Sequence, residues 1–284
     1  MSAGLDTARL DPFALSLSKG LHTLIAALDA APAPVAFFLR DDDAGWDDAR
    51  LFALLDCTEH AGVPIDLAVI PQATRAALAA SLYARKSSAP DLIGLHQHGF
   101  AHTNHETLQR KCEFGRARSI EAQRSDLSAG RATLLGYFGA HLDPFFTPPW
   151  NRCSATTPAL LAALGFSALS RSRGADAQQA LPELPVDVDW CKQQRIAREH
   201  GEADGSARIA AELAQRVATP GPGGPVGLML HHAEMDAGDL ALLGSLLRAT
   251  SRHPHVRWRP MRALLADTAT HSPPTALQNI KDFS

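Results

Sequence analysis

The chain has 284 residues, of which 45% are hydrophobic and 20% are charged, and its formal net charge is -3 at pH 7. This composition is typical of a globular protein that is long enough for one large α/β domain, or two small ones, with a sizeable core. The charge is low and no basic block occurs, so neither a nucleic acid nor a membrane is expected as a partner. The four cysteines are far apart and form no Cys-x-x-Cys pair, which argues against a zinc ribbon and a disulfide scaffold.

Short apolar runs alternate along the chain with segments that have helical periodicity. Strands are predicted at residues 34–39, 65–70, 91–95, 145–146, 166–169, 184–188, 226–230 and 255–258. Helices are predicted at residues 47–60, 73–82, 119–138, 156–164, 206–218, 237–251 and 260–267. This alternation predicts an α/β fold with a parallel sheet and helices outside it. Seven to eight strands favour a closed or nearly closed barrel, and a doubly wound open sheet is the alternative.

Residues 12–270 are predicted to form that single barrel domain, between tails at residues 1–11 and 271–284. Charged residues interrupt the first 20 positions, so they do not have the apolar region of a secretory signal. No apolar run reaches the length of a transmembrane helix, about 18–20 residues. A cytoplasmic location is therefore expected. No glycine-rich nucleotide-binding motif follows the first strand.

Polar residues collect just after the predicted strands, where the active site of a parallel barrel forms. The first group is Asp41, Asp42 and Asp43, preceded by Arg40. Three adjacent carboxylates after a buried strand point in different directions, so one can bind a metal while its neighbour faces a water. The alternative is a charged helix start, where the helix dipole favours acidic residues.

The second group contains four histidines between residues 96 and 105. His98 and His102 are four residues apart, a spacing that places both imidazoles on one side of a helical turn. Imidazole nitrogens bind zinc and similar ions, and two histidines with one carboxylate leave coordination positions open for water and substrate. A catalytic metal site is predicted here, and a histidine-rich surface loop is the alternative.

Three further groups follow later strands. The loop at residues 147–151 contains adjacent prolines, which either hold the Trp150 ring and backbone N–H toward a ligand or form only a stiff turn. Strand alternation places Asp187 and Asp189 on one face. His231 and His232 end an apolar strand, where a histidine suits general acid catalysis or is a satisfied core residue.

Taken in order, these segments resemble the motifs of the polysaccharide deacetylase family, which comprises carbohydrate esterase family four and its relatives. The matching residues lie between positions 40 and 232, and they are Asp42-Asp43, the His-Gly-Phe-Ala-His element at 98–102, the Thr-Pro-Pro-Trp element at 147–150, the Asp-Val-Asp-Trp element at 187–190 and the Leu-His-His element at 230–232. The resemblance implies a distorted (β/α) barrel and a deacetylase.

The resemblance also implies roles for individual residues. Asp43, His98 and His102 would hold a divalent metal, with zinc favoured over cobalt, nickel, manganese or iron. Asp42 would be the catalytic base and His231, with His232 as its rival, the general acid. Asp187 or Asp189 would orient that histidine. The candidate substrate-binding residues are Trp150, Asn151 and Arg40.

The chain departs from the family pattern at several positions. The aromatic residue that usually precedes the Asp pair is Asp41 here, and the usual Pro after the second histidine is Thr103. The arginine that usually pairs with the catalytic base is replaced by Thr147, and Arg40 or Arg152 is the candidate substitute. These departures indicate a divergent branch whose substrate need not be a polysaccharide.

The favoured function is therefore hydrolysis of a carbon–nitrogen amide bond, with an N-acetylated sugar or related metabolite as the substrate. The alternatives are a catalytically inactive barrel that binds a carbohydrate or small metabolite, and a structural or regulatory metal-binding protein. The oligomeric state is left open.

Overall fold

The computed structural model describes residues 12–175, 180–219 and 224–271. Eight parallel strands form one sheet in the order β5-β4-β3-β2-β1-β7-β6, with β8 paired to the first residues of β1. The strands are β1 (Val35–Ala44), β2 (Ile65–Val69), β3 (Ile93–His98), β4 (Phe145–Thr147), β5 (Ala168–Leu169), β6 (Val188–Asp189), β7 (Val226–His231) and β8 (Val256–Trp258). The predicted N-terminal tail (1–11) and all but the first residue of the predicted C-terminal tail (271–284) lie outside the described residues, and His271 ends α9. The single domain stays a prediction.

Helices surround the sheet within the described ranges. They are α1 (Pro12–Asp29), α2 (Asp48–Ala61), α3 (Ala76–Ser88), α4 (Ile120–Phe138), α5 (Thr157–Ala163), α6 (Trp190–Glu199), α7 (Ser206–Ala218), α8 (Ala237–Ser251) and α9 (Met261–His271). In this part of the chain no helix combines the length and the apolar character that crossing a membrane requires.

Two of these helices have no counterpart among the predicted elements. Helix α1 packs against α7, and the close approach requires Gly20, since a Cβ there would lie 2.8 Å from the Ala207 Cα atom. Helix α6 begins directly after β6, where the Asp189 side chain accepts a hydrogen bond from the Lys192 N–H and caps the helix. Both helices depend on contacts or caps that the apolar periodicity of the chain does not show.

The sheet closes into a distorted barrel, which confirms the predicted fold class. Between β5 and β6 the chain pairs irregularly, with backbone hydrogen bonds from Leu184 to Leu169 (3.0 Å) and from Val186 to Arg171 (2.8 Å). On the other side, the Asp187 N–H donates to the Gly227 carbonyl at 2.8 Å. Regular pairing stops here because the closing segment contains Pro182 and Pro185, which have no N–H to donate.

Strand alternation divides the core between the outside and the inside of the barrel. On β1, Phe37 and Leu39 belong to the large apolar cluster between the sheet and the helices. Phe38 belongs instead to the interior cluster, together with Phe145 and Met229. Because side chains two residues apart share a face, Arg40 and Asp42 continue the inward face of β1 above Phe38. The barrel interior thus changes from apolar to charged toward the end of β1.

Candidate metal centre and active site

A β-bulge at the end of β1 sets the direction of the acidic side chains. The β1–β2 register runs from Asp41 opposite Leu67 to Ala44 opposite Val69, so three steps on β1 match two on β2. The extra residue interrupts the alternation, and Asp43 adopts a left-handed conformation with φ 71°. Asp42 therefore stays on the inward face while Asp43 reaches the residues that follow β3.

Asp43, His98 and His102 lie together, as the family resemblance implies. Asp43 Oδ1 is 3.2 Å from His98 Nε2 and 3.1 Å from His102 Nε2, and the three ligand atoms all lie within 4.8 Å of one another. Tetrahedral ligands at about 2.1 Å from an ion are separated by roughly 3.4 Å, so this spacing fits one small divalent cation. Burial raises the pKa of Asp43, but hydrogen bonds with His102 and His98 lower it by more, so the carboxylate is ionised.

The tautomer of His98 also suits metal binding. Its Nδ1 atom is 3.0 Å from the Thr147 carbonyl oxygen. Because a carbonyl only accepts, Nδ1 carries the hydrogen and a neutral ring presents the lone pair of Nε2 toward Asp43. The pairing of β3 with β4, which places His98 opposite Thr147, fixes this arrangement.

The loop that carries His102 is held by a carboxylate that the sequence motifs do not reveal. The fully buried Glu113 accepts hydrogen bonds from the Ala101 N–H (2.8 Å) and the Phe100 N–H (3.1 Å). Gly99 has φ 55°, and a Cβ there would lie 2.1 Å from Glu113 Oε2. Glycine therefore allows the carboxylate to approach the loop backbone, and His102 keeps its position after the turn.

Backbone strain is concentrated at this end of the barrel. Five non-glycine residues in the described ranges have positive φ, and four of them surround the site: Asp43, His102, Trp150 and Asn151. Such conformations cost on the order of 1–3 kcal/mol each and persist where the surrounding structure holds them. Their grouping therefore supports a functional role for this edge.

Two tryptophans enclose the ring of His102. The Trp46 ring lies 4.7 Å away at 67°, and the Trp150 ring lies 4.5 Å away at 60°. Trp46 follows the acidic motif of β1 and is 40% exposed, so it forms part of the open edge of the site. The sequence pattern predicts Trp150 as a site residue but not Trp46, and the position of Trp46, three residues after Asp43, is the signal that could have identified it.

Arg40, one of the two candidate substitutes for the arginine absent at Thr147, contacts Asp42. Its Nε and NH2 atoms donate to the two oxygens of Asp42 at 2.8 and 2.9 Å. Other donors of the same guanidinium contact Ser170 Oγ at 2.6 Å and Asn151 Oδ1 at 2.7 Å. Arg40 is fully buried, so it positions Asp42 rather than contacting a substrate at the surface.

The Arg40 guanidinium controls the charge of its neighbours. Burial raises the pKa of Asp42, but Arg40 and then His98 and His231 lower it by more, so the pKa lies below its usual value. Burial, reinforced by Arg40, lowers the pKa of His96 to about 3. The Nε2 atom of the neutral His96 ring lies 2.8 Å from Thr147 Oγ1, so the threonine hydroxyl is a hydrogen-bond partner of this interior histidine.

The two histidines at the end of β7 have different hydrogen-bond environments. His231 pairs in register with Asp42, and its Nδ1 atom is buried with no hydrogen-bond partner among the described residues. His232 instead lies 2.6 Å from Asp41 Oδ2 through Nδ1 and 2.6 Å from the Trp46 carbonyl through Nε2. Both nitrogens of the buried His232 ring therefore have hydrogen-bond partners, whereas the described residues give the His231 ring none.

The described contacts of the Asp187 and Asp189 carboxylates are with groups other than His231. Asp187 pairs with Arg173 and with Arg216, whose Nε is 3.0 Å away, and it accepts the Gly227 N–H at 2.8 Å. Asp189 caps α6. These contacts give both carboxylates structural partners and show none with His231, so the orienting role remains only an expectation from the family resemblance.

Comparisons with solved structures agree with this architecture. The chain is similar to a candidate polysaccharide deacetylase from Mycobacterium smegmatis, with 17% identity, a TM-score of 0.65, and coverage of 88% of this chain and 96% of the other. It is also similar to a family 4 acetyl xylan esterase from Clostridium thermocellum in complex with a cobalt ion (14% identity, TM-score 0.54, coverage 82% and 92%). A third similar structure is a family 4 pseudoenzyme from Bacillus anthracis (13% identity, TM-score 0.52, coverage 83% and 66%).

These similarities confirm the resemblance at the level of the fold: the chain has the fold of polysaccharide deacetylases and family 4 carbohydrate esterases. No protein-family model matches the chain, and the search of curated proteins finds no relative. At identities of 13–17% the likeness identifies the architecture and leaves the activity to the residues of the site.

Proposed function

We propose that this protein is a metal-dependent hydrolase of carbon–nitrogen amide bonds that deacetylates an N-acetylated sugar or a related metabolite, as a divergent member of the polysaccharide deacetylase family. The observation that supports it is the grouping of Asp43, His98 and His102 beside the Asp42–Arg40 pair at the end of β1. A cytoplasmic location remains a prediction of the sequence.

Asp43, His98 and His102 would hold the divalent ion, with zinc as the first choice. The fit is supported by the buried carboxylate oxygen and the two ring nitrogens that converge on it, one with its tautomer set by Thr147. When bound, the ion lowers the pKa of water and polarises the substrate carbonyl. The cobalt ion bound by the similar acetyl xylan esterase supports the same chemistry here.

Asp42 and His231 would divide the proton transfers. Asp42 is ionised and takes a proton from the attacking water, whose oxygen bonds to the amide carbon. Arg40 holds both oxygens of this carboxylate in place. The His231 ring, adjacent to Asp42 in the β1–β7 register, then gives a proton to the amine nitrogen as the carbon–nitrogen bond breaks. The backbone N–H of the strained Trp150 turn is the candidate donor to the oxyanion.

The first experiment is metal analysis of full-length protein purified without chelator. We expect about one zinc or similar ion per wild-type chain and a loss of the ion in the double variant His98→Ala/His102→Ala. The control is His60→Ala/His200→Ala, which removes two exposed histidines outside the site. Retention of a full ion by the His98→Ala/His102→Ala variant would refute the assigned ligands.

The second candidate function is a catalytically inactive barrel, and the similarity to a pseudoenzyme supports it. An activity assay distinguishes this candidate from the proposed enzyme. Wild type and Asp42→Asn are compared on a panel of N-acetylated sugars and small amides. We expect Asp42→Asn to keep its metal and lose activity by about 10²–10⁴-fold, the usual contribution of a general base. A metal-loaded wild type without activity on the panel would favour the inactive carbohydrate-binding barrel.

A further inference from the structure

A cleft of about 850 Å³ opens next to Trp150 and Asn151. We call it the arginine cleft, because its described lining contains five arginines and one acidic residue, Glu106. The arginines are Arg110, Arg116, Arg152, Arg171 and Arg173. Such a concentration of one charge is unusual in a chain whose net charge is -3.

Structural ion pairs account for part of this charge only. Arg171 pairs with Glu183 at 2.6 Å, and Arg173 pairs with Asp187. By contrast, neither Arg110 nor Arg116 has a carboxylate partner among the described residues. Arg152 likewise forms no described ion pair. These three arginines are therefore available to a ligand.

Arg152 lies close enough to Arg110 for the two charges to repel. Its only described hydrogen bond from NH1 goes to the Lys111 carbonyl, at 3.1 Å. Burial and the neighbouring Arg110 guanidinium hold the pKa of Arg152 below its usual value. The Lys111 ammonium adds a further positive charge, 5.9 Å from the centre of the Trp150 ring. Like charges held together in this way are stabilised when an anion binds between them.

Glu106, the acidic residue of the described lining, is hydrogen-bonded within its own loop. Its Oε1 atom accepts a hydrogen bond from the Ala117 N–H at 3.2 Å. A Cβ at Gly115 would lie 1.9 Å from the same oxygen, so the carboxylate is pressed against the loop backbone. The described lining contains five arginines and this one carboxylate, so its net charge is positive.

The arginine cleft shares two residues with the candidate active site. The Trp150 ring lies 4.5 Å from the ring of His102, and Asn151 Oδ1 accepts a hydrogen bond from Arg40 at 2.7 Å. The arginine cleft therefore borders the candidate active site at Trp150 and Asn151.

We propose that the arginine cleft binds an anionic group of the substrate, a phosphate or a carboxylate, while the acetamido group of the same molecule lies at Asp42 and His231. The position of the acetamido group rests on the proposed deacetylase function, whereas the binding of an anion in the cleft does not. Guanidinium groups match phosphate and carboxylate oxygens with paired hydrogen bonds. Arg110 and Arg116 are exposed, so binding weakens as the salt concentration rises.

The test begins with the binding of inorganic phosphate to metal-free, full-length protein by titration calorimetry, so that phosphate cannot bind to the metal. Wild type is compared with Arg110→Gln/Arg152→Gln and with Arg198→Gln/Arg252→Gln, which removes the same charge from exposed positions outside the cleft. We expect the cleft variant to bind at least tenfold more weakly and the control variant to match wild type. No phosphate binding by wild type, or equal weakening in both variants, would overturn the proposal.

Three sugars then identify the anion: N-acetylglucosamine, N-acetylglucosamine 6-phosphate and N-acetylmuramic acid. With the same metal-free protein, we expect one of the charged sugars to bind at least tenfold more tightly than the neutral one, and the cleft variant to lose that preference. The tighter of the two shows whether the group is a phosphate or a carboxylate. Charged sugars that bind no better than the neutral sugar would contradict the proposal.

The two proposals fail in different ways. A wild-type chain that binds no metal but binds phosphate at the cleft would refute the proposed hydrolase and support the anion site. A normal metal content with no anion preference would leave the hydrolase and refute the arginine cleft as a substrate site.

Discussion

Asp42 and Asp66 are both fully buried on the inward face of the barrel, Asp42 near the end of β1 and Asp66 at the start of β2. Arg40 lies opposite Asp66 in the sheet register, yet its guanidinium contacts Asp42. The pKa of Asp42 is lowered, whereas burial raises the pKa of Asp66 to about 7. Within the described ranges, the backbone N–H of Met261 is the hydrogen-bond partner of the Asp66 carboxyl.

The difference shows that the charge of a buried carboxyl depends on the group at hydrogen-bonding distance, and burial alone favours the neutral form. Asp66 holds the start of α9 against the barrel, and Gly94 leaves room for it, since a Cβ there would lie 1.9 Å from Asp66 Oδ1. Asp42, paired with a guanidinium, is ionised and suited to proton transfer. One residue is structural and the other is available for chemistry.

The largest expected effect comes from removing the partner of Asp42. Arg40→Met leaves a buried carboxylate unpaired, and we expect a loss of about 3–5 kcal/mol in the free energy of unfolding. Urea unfolding measures it, and Arg40→Met/Asp42→Asn is the matched double variant. We expect the double variant to recover most of the stability without activity. If the two single changes simply add, the pair is not coupled.

The second prediction removes the titration of Asp66. Its folded pKa of about 7 lies above the unfolded value of about 4, so the native state keeps a proton that the unfolded chain has already released. Stability is therefore lost as pH rises from about 4 to 7. Asp66→Asn removes this loss, so the variant should gain about 2–3 kcal/mol relative to wild type between pH 5 and 7.5.

Urea unfolding at the two pH values checks this change, with the exposed Glu199→Gln as the control. A difference between wild type and Asp66→Asn that does not vary with pH would show that Asp66 is ionised across the range.

The smallest expected effect concerns Glu113, a buried carboxylate that binds backbone rather than a side-chain cation. Glu113→Gln removes the negative charge of the carboxylate that accepts hydrogen bonds from the Phe100 and Ala101 N–H groups. We expect metal affinity to fall by about 10–100-fold, the usual cost of disturbing a residue that orients a ligand. Competition with a chromophoric chelator measures it, beside the exposed Glu121→Gln control. Unchanged affinity would mean that the loop holds His102 without Glu113.

The sequence by itself determined the order of the βα units and the groups of polar residues after the strands. The predicted helices at 206–218 and 237–251 agree with α7 and α8 at both ends, because apolar periodicity is a local property of the chain. The fold class follows from the same alternation. His98, His102 and Asp43 were expected to come together because the ends of neighbouring parallel strands share one edge of a sheet.

Only the tertiary structure decided which partner each polar side chain takes. Arg40 donates hydrogen bonds to Ser170 and Asn151, which are more than 100 residues away in the sequence. Glu113 accepts a hydrogen bond from the backbone of the loop that carries His102, and no sequence motif indicates this contact. The bulge that turns Asp43 toward the histidines, and the bonds that occupy His232, likewise arise from pairing between distant strands. A sequence pattern reports periodicity and spacing, whereas hydrogen bonds depend on distances that exist only once the barrel has closed.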